Sequence, residues 1–295
     1  MYNIKYISNN GKNLNFSLSN NLAITSISGL TENTIELAET QGVAQIGSSI
    51  QGKSVQGKDI VINGEIIGTA RFLRGQLLDT ITPLEGGTLI FNNILELGVE
   101  PIMTPYVENY AENSKFQFTL RASYPYWRSI KQIITDVAGL EPKFKFPIDY
   151  GNTGNEGHPR EHIFGQRISN FFVNVENKGN VPAPFKVMFI AKTQLSNPSI
   201  TKVSTLEFIK IQKAMISGER IEVDMMGDLP KLTSYKIGSE EDVFRYFDID
   251  STLFELDVGD NLIRYDADSN RNGLDVKITR ADTWSAPYGD DKTYE

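Results

Sequence analysis

Short runs of alternating apolar and polar residues, broken by turn residues at close intervals, fill nearly the whole chain and leave room for little helix. Such a chain buries its side chains on sheet faces, so its fold class reads as mainly β. Near the start, MYNIKYIS and LNFSLS flank Asn9-Asn10-Gly11, residues that tolerate positive φ and mark a hairpin. LAITSISGL and TIELAE follow as further short strands. Asn63-Gly64 lies between Ile60-Val61-Ile62 and Glu65-Ile66-Ile67, the pattern of a type I′ hairpin. One helix is expected, about 71–81, where Phe72, Leu73, Gln76, Leu77 and Ile81 fall on one stripe and Pro83 stops it. Gly86-Gly87 then returns the chain to strands.

The texture changes after about residue 138. Residues 139–165 gather Pro, Gly and Asn and read as a linker or long loop. Beyond it strand runs and turn signals resume to the end, the pattern of an antiparallel sandwich. Two domains are therefore expected: 1–138, a β-sandwich with one helix and a β-hairpin, and 166–295, a second β-sandwich. At 295 residues each can bury a core of ordinary size.

Charge narrows the partners. Lys plus Arg number 29 against 37 Asp plus Glu, a net charge of −8, with a pI near 5.0. That balance disfavours a protein that grips nucleic acid through its phosphates, or one that coats an anionic membrane. No apolar run approaches the roughly 20 residues that span a bilayer, and the start lacks the layout of a signal peptide. With no cysteine, disulfides, thiolate metal sites and a cysteine nucleophile are all ruled out.

Candidate chemical motifs fail on context. Gly47-Ser-Ser-Ile-Gln-Gly52-Lys53-Ser54 matches the phosphate-cradling pattern, but that loop needs a helix after it, and here a β-branched, glycine-containing run follows. It reads as a glycine-rich loop between strands. His158 and His162 stand four apart, but Pro159 occupies the place of the glutamate a zinc protease needs. The run Asp266-Ala-Asp268-Ser-Asn270 opens like a calcium loop, yet Arg271 replaces its glycine and Lys277 its final glutamate. Acidic residues such as Glu240, Glu241, Asp248 and Asp250 are plentiful, but sequence pairs none of them across a cleft. No catalytic, cofactor-binding or metal residue is assigned. Tyr235, Tyr246 and Phe247 are candidates for a sugar-binding face, which keeps a carbohydrate-binding protein or a glycosidase's accessory module as the alternative reading.

The order of features resembles one family. Ile27–Leu30, the glycine-rich loop, the Ile60–Ile67 segment, the helix, the Gly86-Gly87 strand and Tyr124-Pro125-Tyr126-Trp127 succeed one another as in the distal tail proteins of long-tailed phages. In the second half, Asn177, Gly179 and Pro184 are similar to that family's Asn-x-Gly strand pair, and Asn197-Pro198 to its next turn. Ser251, Phe254, Leu256, Gly259, Asn261, Ile263 and Tyr265 resemble its most extended block.

The resemblance implies a structural hub and no enzyme: a ring of six subunits formed by the N-terminal domains at the distal end of the virion's tail, assembled in the host cytoplasm. One face would dock on the tail tube protein and the other on the tail-tip protein or tail-associated lysin. The C-terminal domain would be galectin-like and carry receptor-binding or baseplate proteins, or, in some members, touch host cell-wall polysaccharide. DNA would only pass through the lumen, past acidic residues. No cofactor and no membrane are implied. Within that picture Ile60, Ile62, Ile66 and Ile67 are expected on an apolar ribbon that contacts the neighbouring subunit, with packing inside their own subunit the alternative.

Overall fold

The computed structural model describes residues 3–68, 70–108, 113–136, 140–142, 165–167, 171–227 and 229–287. Among them are 24 strands and one α-helix, so the chain is mainly β. It divides into two compact units. Unit 1 holds Met1–Gln132 with Lys178–Pro182 and Ala281 onward; unit 2 holds Ile133–Asn177 and Ala183–Arg280. The sequence division placed everything after 165 in one domain, whereas two short returning segments pack with unit 1. Most of the expected linker lies outside the described residues.

Unit 1 contains β1 (Ile4–Ser8), β2 (Asn13–Phe16), β3 (Leu22–Ser28), β4 (Ile35–Thr40), β5 (Ser49–Val55), β6 (Lys58–Ile66), α1 (Ala70–Thr80), β7 (Gly87–Phe91), β8 (Leu95–Val107), β9 (Ser114–Ala122) and β10 (Trp127–Ser129). Its main sheet runs β2-β1-β7-β8-β9-β6-β3, and an isolated bridge from Ser17 to Leu22 joins the two ends, so the sheet curls around one core. The first hairpin forms as expected, with Gly11 at φ 85° in its turn. Helix α1 also forms, and its buried Leu77 belongs to the same core as Tyr6, Leu89 and Phe118. Phe16 stacks on Phe118 at 5.7 Å, and Trp127 meets Phe91 edge-on at 6.1 Å.

The Asn63-Gly64 hairpin does not form. Residues 58–66 are one unbroken strand, paired on one side with β9 and on the other with β3. Gly64 does not adopt positive φ. A Cβ there would come within 2.2 Å of Phe116 and 2.4 Å of the Ala23 carbonyl oxygen. The glycine makes room for an aromatic ring directly across the ladder, the other common use of glycine in a strand. Because β6 is central, its alternate side chains point into the core: Ile60, Ile62 and Ile66 are each 0% exposed. They are therefore not available to a neighbouring subunit, and Ile67 is half-buried.

Unit 2 contains β11 (Ile133–Asp136), β12 (Leu140–Pro142), β13 (Gly165–Arg167), β14 (Phe172–Asn177), β15 (Phe185–Ala191), β16 (Leu195–Lys202), β17 (Phe208–Lys210), β18 (Ala214–Met215), β19 (Arg220–Asp224), β20 (Lys231–Lys236), β21 (Ser239–Asp242), β22 (Gly259–Ser269) and β23 (Leu274–Arg280). One sheet is ordered β11-β23-β15-β19-β20-β21, the other β14-β22-β16-β17 with β18 beside β16. Val187, Phe189 and Val276 from the first share a core with Ile200, Ile263 and Tyr265 from the second, which makes unit 2 an antiparallel sandwich. The last strand, β24 (Thr283–Trp284), returns to unit 1 and pairs with β10.

A candidate assembly surface

Among the described residues, strands β4 and β5 pair only with each other and form a sheet separate from the main sheet of unit 1. Every residue of β4 is exposed, and so is every residue of β5 except Gly52. A six-residue strand rises about 3.3 Å per residue, so the ribbon is an arm about 20 Å long. Ile35 faces Val55, Leu37 faces Lys53 and Glu39 faces Ile50, so Ile35, Leu37, Ile50 and Val55 fall on one side of it. At the tip, Val43 and Ile46 are fully exposed, at 104% and 102%. No charged residue lies between Glu39 and Lys53. Where the sequence reads as a glycine-rich loop over 47–54, the structure has a strand; the uncharged run holding Val43, Ile46 and Ile50 is the signal the sequence offers. The same strand settles the phosphate-loop pattern, since Ser49–Val55 extends where a nucleotide site needs a helix.

The root of the arm is tightly built. Gly29 has φ 83°, and a Cβ on it would lie 1.9 Å from the Asp59 carbonyl oxygen, so only glycine lets these two segments touch. The Leu30 carbonyl accepts hydrogen bonds from Lys58 Nζ and from Trp127 Nε1, both at 3.1 Å. Trp127 closes the Tyr-Pro-Tyr-Trp element, so that element serves to pin the place where the arm leaves the body. Burial pushes the Lys58 ammonium down to a pKa of about 8, against the pull of Glu32.

Unit 2 gives the Ser251–Tyr265 block structural roles. Ser251 Oγ accepts from the Lys210 N–H. Phe254 packs on Phe185 at 5.3 Å, and the backbone of Leu256 bridges to Ala183. Gly259 takes φ 86°. Asn261 accepts from the Asp257 N–H and donates to the Asp257 and Gly259 carbonyls, closing the turn. Asn177 donates to the Leu256 carbonyl. These residues build a sandwich corner.

The sugar-face aromatics are already occupied. Arg220 lies over Tyr235, Lys213 and Arg245 both lie over Tyr246, and Phe247 stacks on Phe244. In the calcium-like run, Asp268 accepts from Asn197 and Lys210, which hold its carboxyl below the usual range, while Asp266 faces Arg271. Among the described residues, no group of three His, Asp or Glu could hold a metal ion. His158 and His162 lie outside the described residues. Glu240 and Asp242 lie on β21, and no described contact sets two carboxylates across a cleft.

Residues 178–284 match the family described as siphovirus-type tail component, C-terminal domain. That segment is similar to a phage tail-component domain. The matched segment includes the whole Ser251–Tyr265 block. No curated protein matches the chain. Among solved structures, the SPP1 Dit protein, described as a paradigm of the hub adsorption apparatus in phages infecting Gram-positive hosts, has the same fold: TM-score 0.63 over 95% of this chain and 98% of that one, at 11% identity. A chain of the phage P2 baseplate in its activated, calcium-bound conformation follows, with TM-score 0.50, the same coverage and 11% identity. The expected resemblance to distal tail proteins therefore holds, in sequence over the tail-component segment and in fold over nearly the whole chain.

Proposed function

We propose that this protein is the structural hub at the distal end of a phage tail. Unit 1 assembles into a ring of six subunits. One face of that ring docks on the tail tube and the other on the tail-tip protein or tail-associated lysin. Unit 2 holds the receptor-binding or baseplate proteins. The observation that carries this reading is the arm. A two-stranded ribbon is marginal alone, and this one keeps Ile35, Leu37, Ile50 and Val55 on one exposed face. A segment with that much uncovered apolar surface is built to be covered by a neighbour. The family match of residues 178–284 supplies the context of a phage tail. A net charge of −8 per chain suits a ring whose lumen passes DNA without holding it.

Light scattering over a range of concentrations, with and without purified tail tubes, tests this. A species six times 33.0 kDa, or six copies per tube end by electron microscopy, is the expected result. Replacing Thr34–Gln56 by a short turn should abolish assembly and leave the folding of unit 1 intact. A chain that stays monomeric and ignores the tube would overturn the proposal.

A further inference from the structure

Unit 1 carries a groove of about 570 Å³ where β1 and β2 approach β3. Phe16, Leu18, Ile24 and Ile27 give it apolar walls, and Asn3, Asn15, Asn20 and Asn93 give it amides. Among the described residues that line it, Lys5 alone is charged. Past the bridge at Leu22, β3 pairs among the described residues only with β6, and its other edge opens beside this groove.

The arm tip has matching chemistry. Val43 and Ile46 project fully exposed, and Gln41 and Gln45 supply amides. The Gln45 side chain accepts from the Gly42 N–H, and Gln41 donates to the Gln45 carbonyl, so the tip is internally ordered. Copies that each carry −8 repel one another, and contact between them is favoured where both surfaces are free of charge. The tip has no charge and the groove has one.

We propose that the groove of one copy receives the arm tip of the next, with Val43 and Ile46 seated against Leu18, Ile24 and Ile27. Tip and groove are different surfaces of one chain, so the contact is head-to-tail and closes into a ring when the rotation allows. This rests on the ring reading above and names the surface that the arm engages.

The absence of cysteine makes the test direct. Val43→Cys with Ile27→Cys, mildly oxidised with and without purified tail tubes, should give covalent dimers and higher species on a non-reducing gel. Val43→Cys with Ser204→Cys in unit 2 should not. Ile46→Asp changes a side chain with no contacts to lose, so its circular dichroism should match the parent while self-association weakens by roughly tenfold or more. Assembly that persists in Ile46→Asp, with no cross-link from the Val43–Ile27 pair, would overturn the groove assignment and leave the ring standing. A parent chain that is monomeric under every condition would overturn both.

Discussion

Lys58 is a cation that folding places under cover, 5% exposed beneath the arm root. Its pKa of about 8 in the folded chain lies below the ordinary 10.5. Between those two values the unfolded chain holds a proton that the folded chain has released, so stability from this group rises with pH across that window. Lys58→Met removes the effect. The parent's stability relative to that variant should rise by up to about 3 kcal/mol between pH 7 and pH 11, measured by urea unfolding; a flat difference would mean the ammonium is solvated. Glu219 is the opposite case. It is 1% exposed, and burial pushes its pKa up, but hydrogen bonds from Lys213, Ser234 and the Ile216 N–H outweigh burial and hold it below the usual value. Its stabilisation is present above pH 4.5 and is lost as pH falls through the lowered value. Glu219→Gln strands Lys213 and should cost about 3 kcal/mol at neutral pH, a deficit that shrinks in acid. Neither group was legible in the sequence, since Lys58 meets Trp127 and Glu219 meets Ser234 only after folding.

At the scale of elements, what could be read depended on how local the cause was. The Asn9–Gly11 hairpin and helix α1 rest on neighbours in sequence, and both formed where expected. So does the Asn261 turn, whose partners Asp257 and Gly259 lie within four residues. Asn63-Gly64 carries an equally strong local hairpin signal, but its glycine answers to Phe116 across the ladder. Gly64→Ala should therefore destabilise unit 1 by about 3 kcal/mol, and Phe116→Leu in the same chain should recover part of that loss in a denaturant melt. Were the glycine a turn residue, the second change would only add damage. The outer half of β8 shows another long-range cause. Pro101 and Pro105 have no N–H to donate, and they sit beyond the end of β7, which pairs only as far as Val99. They blunt an edge that would otherwise invite strand addition.

For the whole molecule, the two units are interwoven along the chain. Trp284 is 5% exposed in the core of unit 1, and β24 pairs with β10, although more than 150 residues separate the two strands. Gly179, in the other returning segment, would place a Cβ 1.9 Å from the Thr283 carbonyl oxygen, so these two segments touch closely. A fragment ending at Gln132 lacks both and loses a buried tryptophan. It should melt well below unit 1 in the full chain, and Trp284→Ala in the full chain should reproduce most of the loss, about 3–5 kcal/mol. A fragment as stable as the parent unit would show that the returning segments are peripheral. The domain division drawn at 138 missed them because a strand run carries no mark of the sheet it joins.

Composition and alternation by themselves determined a mainly β chain, acidic and free of cysteine chemistry, with one short helix. These follow from side-chain period and from bonds within a few residues, which sequence displays. Tertiary structure alone decided that Ile60, Ile62 and Ile66 face inward and that Ile35, Leu37, Ile50 and Val55 face out. The reason is physical: alternation says that a strand has an apolar face, but only its ladder partners say whether that face meets a core or is left for another molecule.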